Sequence, residues 1–119
     1  MTGVQTCALP ISKTAQVAVA RGLAELVAGT GVTANSILAG PIASEGASEF
    51  VDSMARQQVI TKAEVEKQFF ANARPTSLLK RFETTAEVAA VVAFVVSTQA
   101  VAINGSAVRA EGGVVRSIF

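Results

Sequence analysis

Few side chains in this 119-residue chain can do acid–base or nucleophilic chemistry. There is no histidine, which excludes a Ser-His-Asp triad and histidine metal ligation within the chain. There is no tyrosine, and the one cysteine is Cys7. A lone cysteine makes neither an internal disulfide nor a cysteine-rich zinc site, so no metal ligands are expected. One residue of note is Lys13, beside Ser12, at the head of a long apolar stretch. Residues four apart on a helix share a face. Four positions before Lys13 stands Leu9, which can neither donate nor accept a proton. A second candidate is Gly40-Pro41, which follows a short apolar run. Ligands of open α/β sheets bind beyond the carboxyl ends of strands, and a glycine there permits close backbone approach. Read alone, Lys13 is an ordinary lysine in a first helical turn, and Gly40-Pro41 is a plain turn signal.

The elements that must position these residues follow from periodicity and turn chemistry. Ser12 to about Ala28 has helical apolar spacing, rich in alanine and leucine, and Gly29 and Gly31 lie just past its end. Small residues occupy several of its faces, so burial on several sides is expected. Val32 to Leu38 reads as a short strand bounded by Gly31 and Gly40-Pro41. Ala43 to Gln57 reads as a loop that becomes helical around Glu49 to Arg56. Thr61-x-x-Glu64 and Thr84-x-x-Glu87 have capping-box spacing. The first should open a short helix that ends before Pro75, and the second an alanine- and valine-rich helix over Val88 to Ser97. Valine is a weak helix former, so packing must hold that helix. Asn104-Gly105 marks a turn, Ser106 to Ala110 a second strand, and Gly112-Gly113 its break. Short strands separated by helices imply a parallel sheet in an α/β fold.

Composition sets the outer bounds. Half the residues are hydrophobic and only 16% are charged, a low polar share for a free-standing small globule. It suits a portion of a larger, well-covered α/β protein. The net charge is +1, with ten basic and nine acidic residues scattered along the chain, so no nucleic-acid surface is indicated. No run of eighteen apolar residues suggests a membrane span, and a reducing cytoplasmic location is expected from the single cysteine.

Three stretches resemble one family. Ser12-Lys13 heads an alanine-rich helix and resembles the second half of the Tyr-x-x-Ser-Lys active-site motif of the short-chain dehydrogenase/reductase (SDR) family. Asn35-Ser36-Ile37-Leu38-Ala39-Gly40-Pro41-Ile42-Ala43-Ser44 resembles that family's Asn-x-(Ile/Val)-x-Pro-Gly-x-x-x-Thr stretch. Ile103-Asn104-Gly105 through Glu111-Gly112-Gly113 resembles its closing Ile-(Thr/Asn)-Gly-x-x-(Ile/Val)-x-x-Asp-Gly-Gly. Each stretch is short; their order and spacing carry the resemblance, over residues 12–119, roughly the C-terminal 40% of a typical member.

The resemblance implies a partial Rossmann-like three-layer fold, the C-terminal helix-strand-helix-strand portion of a parallel sheet. It implies NAD or NADP as cofactor and a small alcohol or carbonyl substrate, in a homo-oligomeric parent enzyme. Lys13 matches the family's catalytic lysine, which stabilises a tyrosine phenolate for proton exchange with the substrate and holds the nicotinamide ribose. Gly40, Pro41, Ile42 and Ser44 match the cofactor-binding loop, with Ala39 in place of a proline and Ser44 in place of a threonine. Residues 45–74 match the substrate-binding segment, where Phe50, Met54, Phe69 and Phe70 either line an apolar pocket or pack as ordinary core. Glu111 replaces the usual aspartate, and the closing stretch reads as structural.

This chain holds no Thr-Gly-x-x-x-Gly-x-Gly loop, which in the family seats the pyrophosphate at a helix N-terminus. The catalytic serine and tyrosine are absent too. Residues 1–11 resemble a translated sequencing adapter and are expected to be an artefactual leader, with Cys7 carrying no function. On this reading the tyrosine was never mutated to Leu9; the family sequence resumes at Ser12. The chain alone is expected to be inactive. The alternative is a non-catalytic piece that associates through the surfaces by which such enzymes oligomerise.

Overall fold

The structure, a computed structural model, describes residues 2–118, with side chains from residue 10 onward. The side-chain readings for Cys7 and Leu9 therefore lie outside the described residues. The elements, in order, are α1 (Thr2–Leu26), β1 (Ser36–Ala39), α2 (Glu45–Gln58), α3 (Lys62–Asn72), α4 (Thr85–Val95), a 3-10 turn (Thr98–Ala100) and β2 (Ala107–Ala110). This is the expected α/β class. The strands pair in parallel with a constant register of 70 residues: Ser36 N–H donates to Ser106 O at 2.9 Å and Gly40 N–H to Ala110 O at 3.0 Å. The chain divides into two compact units, Met1–Ile37 with Ala93–Val108 and Leu38–Val92 with Arg109–Phe119.

In the first unit α1 starts at Thr2 rather than at Ser12. Pro10 stands inside it without ending it, and Thr14 Oγ1 donates to Pro10 O at 2.7 Å. Once nucleated, a helix extends at little cost per residue, so the adapter-like segment continues it. The expected burial on several faces is not found: Ala24 is buried while Val19, Leu23 and Leu26 are exposed. Val95 and Ala100 are the other buried residues among those described in this unit.

The first strand begins at Ser36, four residues later than its apolar pattern suggests. Side chains supply the pairing ahead of it. Asn35 Nδ2 donates to Ile103 O at 2.8 Å, Ser106 N–H donates to Asn35 Oδ1 at 3.0 Å, and Ala34 N–H donates to Asn104 Oδ1 at 3.0 Å. The asparagines thus replace backbone rungs.

In the second unit α2 begins at Glu45, ahead of the expected Glu49, because Ser44 caps it. Ser44 is extended, and its side chain accepts from Ala47 N–H at 3.3 Å. Both capping boxes form as the spacing predicts. Glu64 N–H donates to Thr61 Oγ1 at 3.2 Å and Thr61 N–H to Glu64 Oε2 at 2.8 Å. Glu87 N–H donates to Thr84 Oγ1 at 3.1 Å and Thr84 N–H to Glu87 Oε2 at 2.8 Å. The second box starts α4 at Thr85.

The core of this unit is aromatic. Phe70 is fully buried and Val65 nearly so; burying one such ring contributes on the order of 1.5–3 kcal/mol. Phe69, Phe70 and Phe82 form a mutual cluster with ring centroids 5.1–5.2 Å apart, one pair stacked and two edge-to-face. Gly112 and Gly113 adopt φ of 61° and 71°, conformations that side chains rarely take. The turn they make presents Gly112 O to Leu78 N–H at 2.9 Å and Leu79 N–H at 3.0 Å, which ties the 75–80 loop to the end of β2.

Candidate functional site

The candidate site is a cleft of about 490 Å³ in the second unit, at the carboxyl ends of both strands. One wall is the end of β1 and the loop after it, Leu38 to Ile42. The helical segment contributes Ala47, Phe50 and Phe69, then Arg74 and Phe82. The end of β2 and its exit contribute Arg109, Glu111, Val114 and Val115.

The loop from β1 is held from two sides. A Cβ at Gly40 would lie 2.7 Å from Glu111 Cα and 2.8 Å from its C and O. Sequence reasoning kept a glycine here for close approach to a ligand; the approach observed is to the neighbouring backbone. On the other side Ile42 forms a parallel bridge with Glu83: Glu83 N–H donates to Pro41 O at 2.9 Å and Ala43 N–H to Glu83 O at 2.8 Å.

Glu83 itself is 5% exposed, and its Oε2 has no hydrogen-bond partner among the described residues. Burial pushes its carboxyl above the usual range; the Gly40 backbone and Arg81 oppose the shift, while Glu87 and Glu111 add to it. Glu87 goes the other way. Arg81 binds it through two guanidinium bonds of 2.6 and 2.9 Å, and with the Thr84 backbone bond this lowers its pKa to about 2.

Of the residues singled out from sequence, Gly40, Pro41 and Ile42 come together in the cleft. Ser44 follows them, with its hydroxyl engaged as the α2 cap. Lys13 lies on α1 in the first unit, exposed, with Nζ 3.4 Å from Gln16 Oε1, and is not among the cleft residues. Phe50 and Phe69 line the cleft, whereas Phe70 is core and Met54 is half-buried elsewhere. Sequence reasoning missed Phe82, Arg74, Arg109, Val114 and Val115. Arg109 did leave a signal, a charge inside an otherwise apolar strand.

The cleft lies at the carboxyl ends of two parallel strands, where open α/β folds bind ligands, and comparison supplies the family. The family model described as enoyl-(acyl carrier protein) reductase matches residues 2–115. The chain belongs to the short-chain dehydrogenase/reductase family. It is 41% identical over 108 residues to an oxidoreductase of Bacillus subtilis, YvrD, covering 91% of this chain and 41% of that protein. It is 33% identical over 87 residues to the NADPH-dependent reductase BacG of the same organism, covering 73% and 32%. The solved L-sorbose reductase from Gluconobacter frateurii, complexed with NADPH and L-sorbose, superposes with a TM-score of 0.80 at 20% identity, covering 91% of this chain and 40% of that one. The fold is therefore Rossmann-like, and the chain spans about 41% of the length of the curated relatives it matches first.

The residues present fit one end of a nicotinamide dinucleotide. Gly40, Pro41 and Ile42 offer a largely apolar wall to a cleft of about 490 Å³, within the range of small-molecule sites. They do not fit its phosphates, because this chain's sequence contains no glycine-rich phosphate loop.

Proposed function

We propose that this chain carries the C-terminal part of the active site of an NAD(P)-dependent oxidoreductase that interconverts an alcohol and a carbonyl. The carrying observation is the cleft at the strand ends, walled by Gly40, Pro41 and Ile42. In that role the Gly40-to-Ile42 backbone holds the nicotinamide end, and the bridge from Ile42 to Glu83 keeps the wall in place. When bound, the dinucleotide supplies or accepts the hydride. By the family resemblance Lys13 matches the lysine that holds the ribose and lowers the pKa of the catalytic tyrosine, a residue type this chain's sequence does not contain. Ser44 caps α2 and so orients the start of the substrate segment, residues 45–74.

The 119-residue chain by itself does not turn over, since neither the proton donor nor the phosphate loop is in it. A cytoplasmic location fits the lone cysteine, and among the described residues no helix is long and apolar enough to cross a membrane.

The test is NADPH- and NADH-dependent reduction by the purified chain over a panel of small ketones and aldehydes. No rate above the enzyme-free control is expected. Joining residues 12–119 to the N-terminal part of the YvrD relative should restore turnover, and Lys13→Met in that fusion should remove it. Turnover by the chain alone overturns the reading.

A second reading is favoured by the exposed apolar side chains of α1 and α4, among them Val19, Leu26, Val92 and Phe94. Exposed apolar side chains on a helix can mark an interaction site. On this reading the chain binds intact subunits as a non-catalytic partner. Size-exclusion chromatography, alone and with an intact family member, separates the two: co-elution supports association, and independent elution sinks it.

A further inference from the structure

Three charged side chains line an otherwise largely apolar cleft: Arg74, Arg109 and Glu111. Their pairing is uneven. Arg21, Lys62 and Arg81 each form an ion pair with a carboxylate, but among the described residues Arg74 and Arg109 form none. Among the described residues Glu111 forms no ion pair with either of them; its Oε2 accepts from Val115 N–H at 2.9 Å. The cleft thus holds two guanidinium groups against one carboxylate.

Both arginines are tethered to backbone carbonyls, and among the described residues neither has an ion-pair partner. Arg109 is half-buried, and its Nη1 donates to Ser117 O at 2.8 Å. A guanidinium has five N–H donors in a planar fork that matches a carboxylate. A partly buried cation lacking a counter-charge is costly, and an anion from outside removes that cost. Arg74 is exposed, so that cost falls on Arg109; Arg74 donates to Ala73 O at 2.8 Å and lies over the Phe69 ring at 5.9 Å, which restrains its plane. The surrounding Phe50, Phe82 and Val114 are suited to an apolar body.

We infer that the cleft takes an organic substrate with an apolar, ring-sized body and a carboxylate, and that Arg109 is the residue that selects the carboxylate, with Arg74 assisting. This deepens the proposed function by naming the substrate class of the same site, and it rests on that reading for the word substrate. A dinucleotide phosphate is the other possible source of the anion. The substrate is favoured because Arg74 closes the 45–74 segment and Phe50, on α2, lines the same cleft.

The experiment measures binding of 4-acetylbenzoate and its neutral amide, 4-acetylbenzamide, to the 119-residue chain by NMR titration at low salt, with no dinucleotide present. The carboxylate should bind at least about tenfold more tightly than the amide, in line with a charge-assisted bidentate contact. That preference should fall below about twofold in Arg74→Gln/Arg109→Gln and persist in part in Arg109→Lys. Thermal unfolding of each variant confirms that it is folded, and Arg116→Gln, outside the cleft, serves as the charge control.

Equal binding of the two probes, no binding of either, or a preference that survives the double substitution overturns the inference. In a separate NADPH titration of the same variants, a loss confined to NADPH affinity also overturns it, by assigning the arginines to a cofactor phosphate. Because the readout is binding without turnover, its failure leaves the oxidoreductase reading standing. Turnover by the chain alone would overturn that reading without touching the carboxylate preference.

Discussion

Gly40→Ala tests the strand-end geometry most directly. The added Cβ would sit 2.7–2.8 Å from three backbone atoms of Glu111. Backbone cannot rotate away as a side-chain tip can, so β1 and the end of β2 must separate locally. Overpacking of this kind costs about 1–3 kcal/mol. The Gly40 N–H bond to Ala110 O lies at the same point, and weakening it adds about 0.5–1.5 kcal/mol. The expected loss is about 2–4 kcal/mol, a large share of the roughly 5–15 kcal/mol that holds a domain. At about 4 °C per kcal/mol for a chain of this length, the midpoint should drop by roughly 8–16 °C. The assay is thermal and urea unfolding followed by far-UV circular dichroism. Gly46→Ala is the matched control, since nothing lies within 4 Å of its Cβ position inside α2; it should leave stability unchanged or raise it by up to about 1 kcal/mol. A Gly40→Ala loss below about 0.5 kcal/mol, or one equal to the control, refutes the claim that backbone approach fixes a glycine here.

Val59 caps α2 in the left-handed region, φ 56° and ψ 43°, with its side chain 91% exposed. Val59→Gly should therefore stabilise by about 1 kcal/mol in urea unfolding, because a β-branched residue is strained there and no burial is lost. Ser44→Ala should destabilise by about 0.5–1 kcal/mol, while Ser44→Asp should retain the cap; equal losses would show that capping is not what Ser44 does. The two acidic residues should respond oppositely to pH. The folded pKa of Glu87 is depressed to about 2, so its contribution is present above its ordinary value near 4.5 and lost as pH falls towards 2. Glu83 is raised, so its protonated form favours the fold at low pH and that contribution disappears as pH rises through the folded pKa. Glu83→Gln should accordingly stabilise at neutral pH, with the gain shrinking under acid, as read from unfolding midpoints across pH 3–8 (about that range); a gain that grows under acid contradicts the assignment.

What could be read from the chain alone was local. Both capping boxes formed because a cap joins residues three apart, and no distant element has to agree. Gly112-Gly113 ended the last strand as their type requires. The parallel α/β class followed from short strands separated by helices and the family from the order of three short stretches; β1 pairs with β2 in parallel at a separation of 70 residues. Tertiary structure alone decided the rest. The asparagine bonds that delay β1 to Ser36 join residues 68–71 apart, and no local pattern encodes them. The reason Gly40 must be glycine is Glu111, the bulk of the cleft wall comes from four separated segments, and the burial of Glu83 follows from its bridge to Ile42. Periodicity reports which face of an element is apolar; it does not report which distant backbone or charge that face will meet.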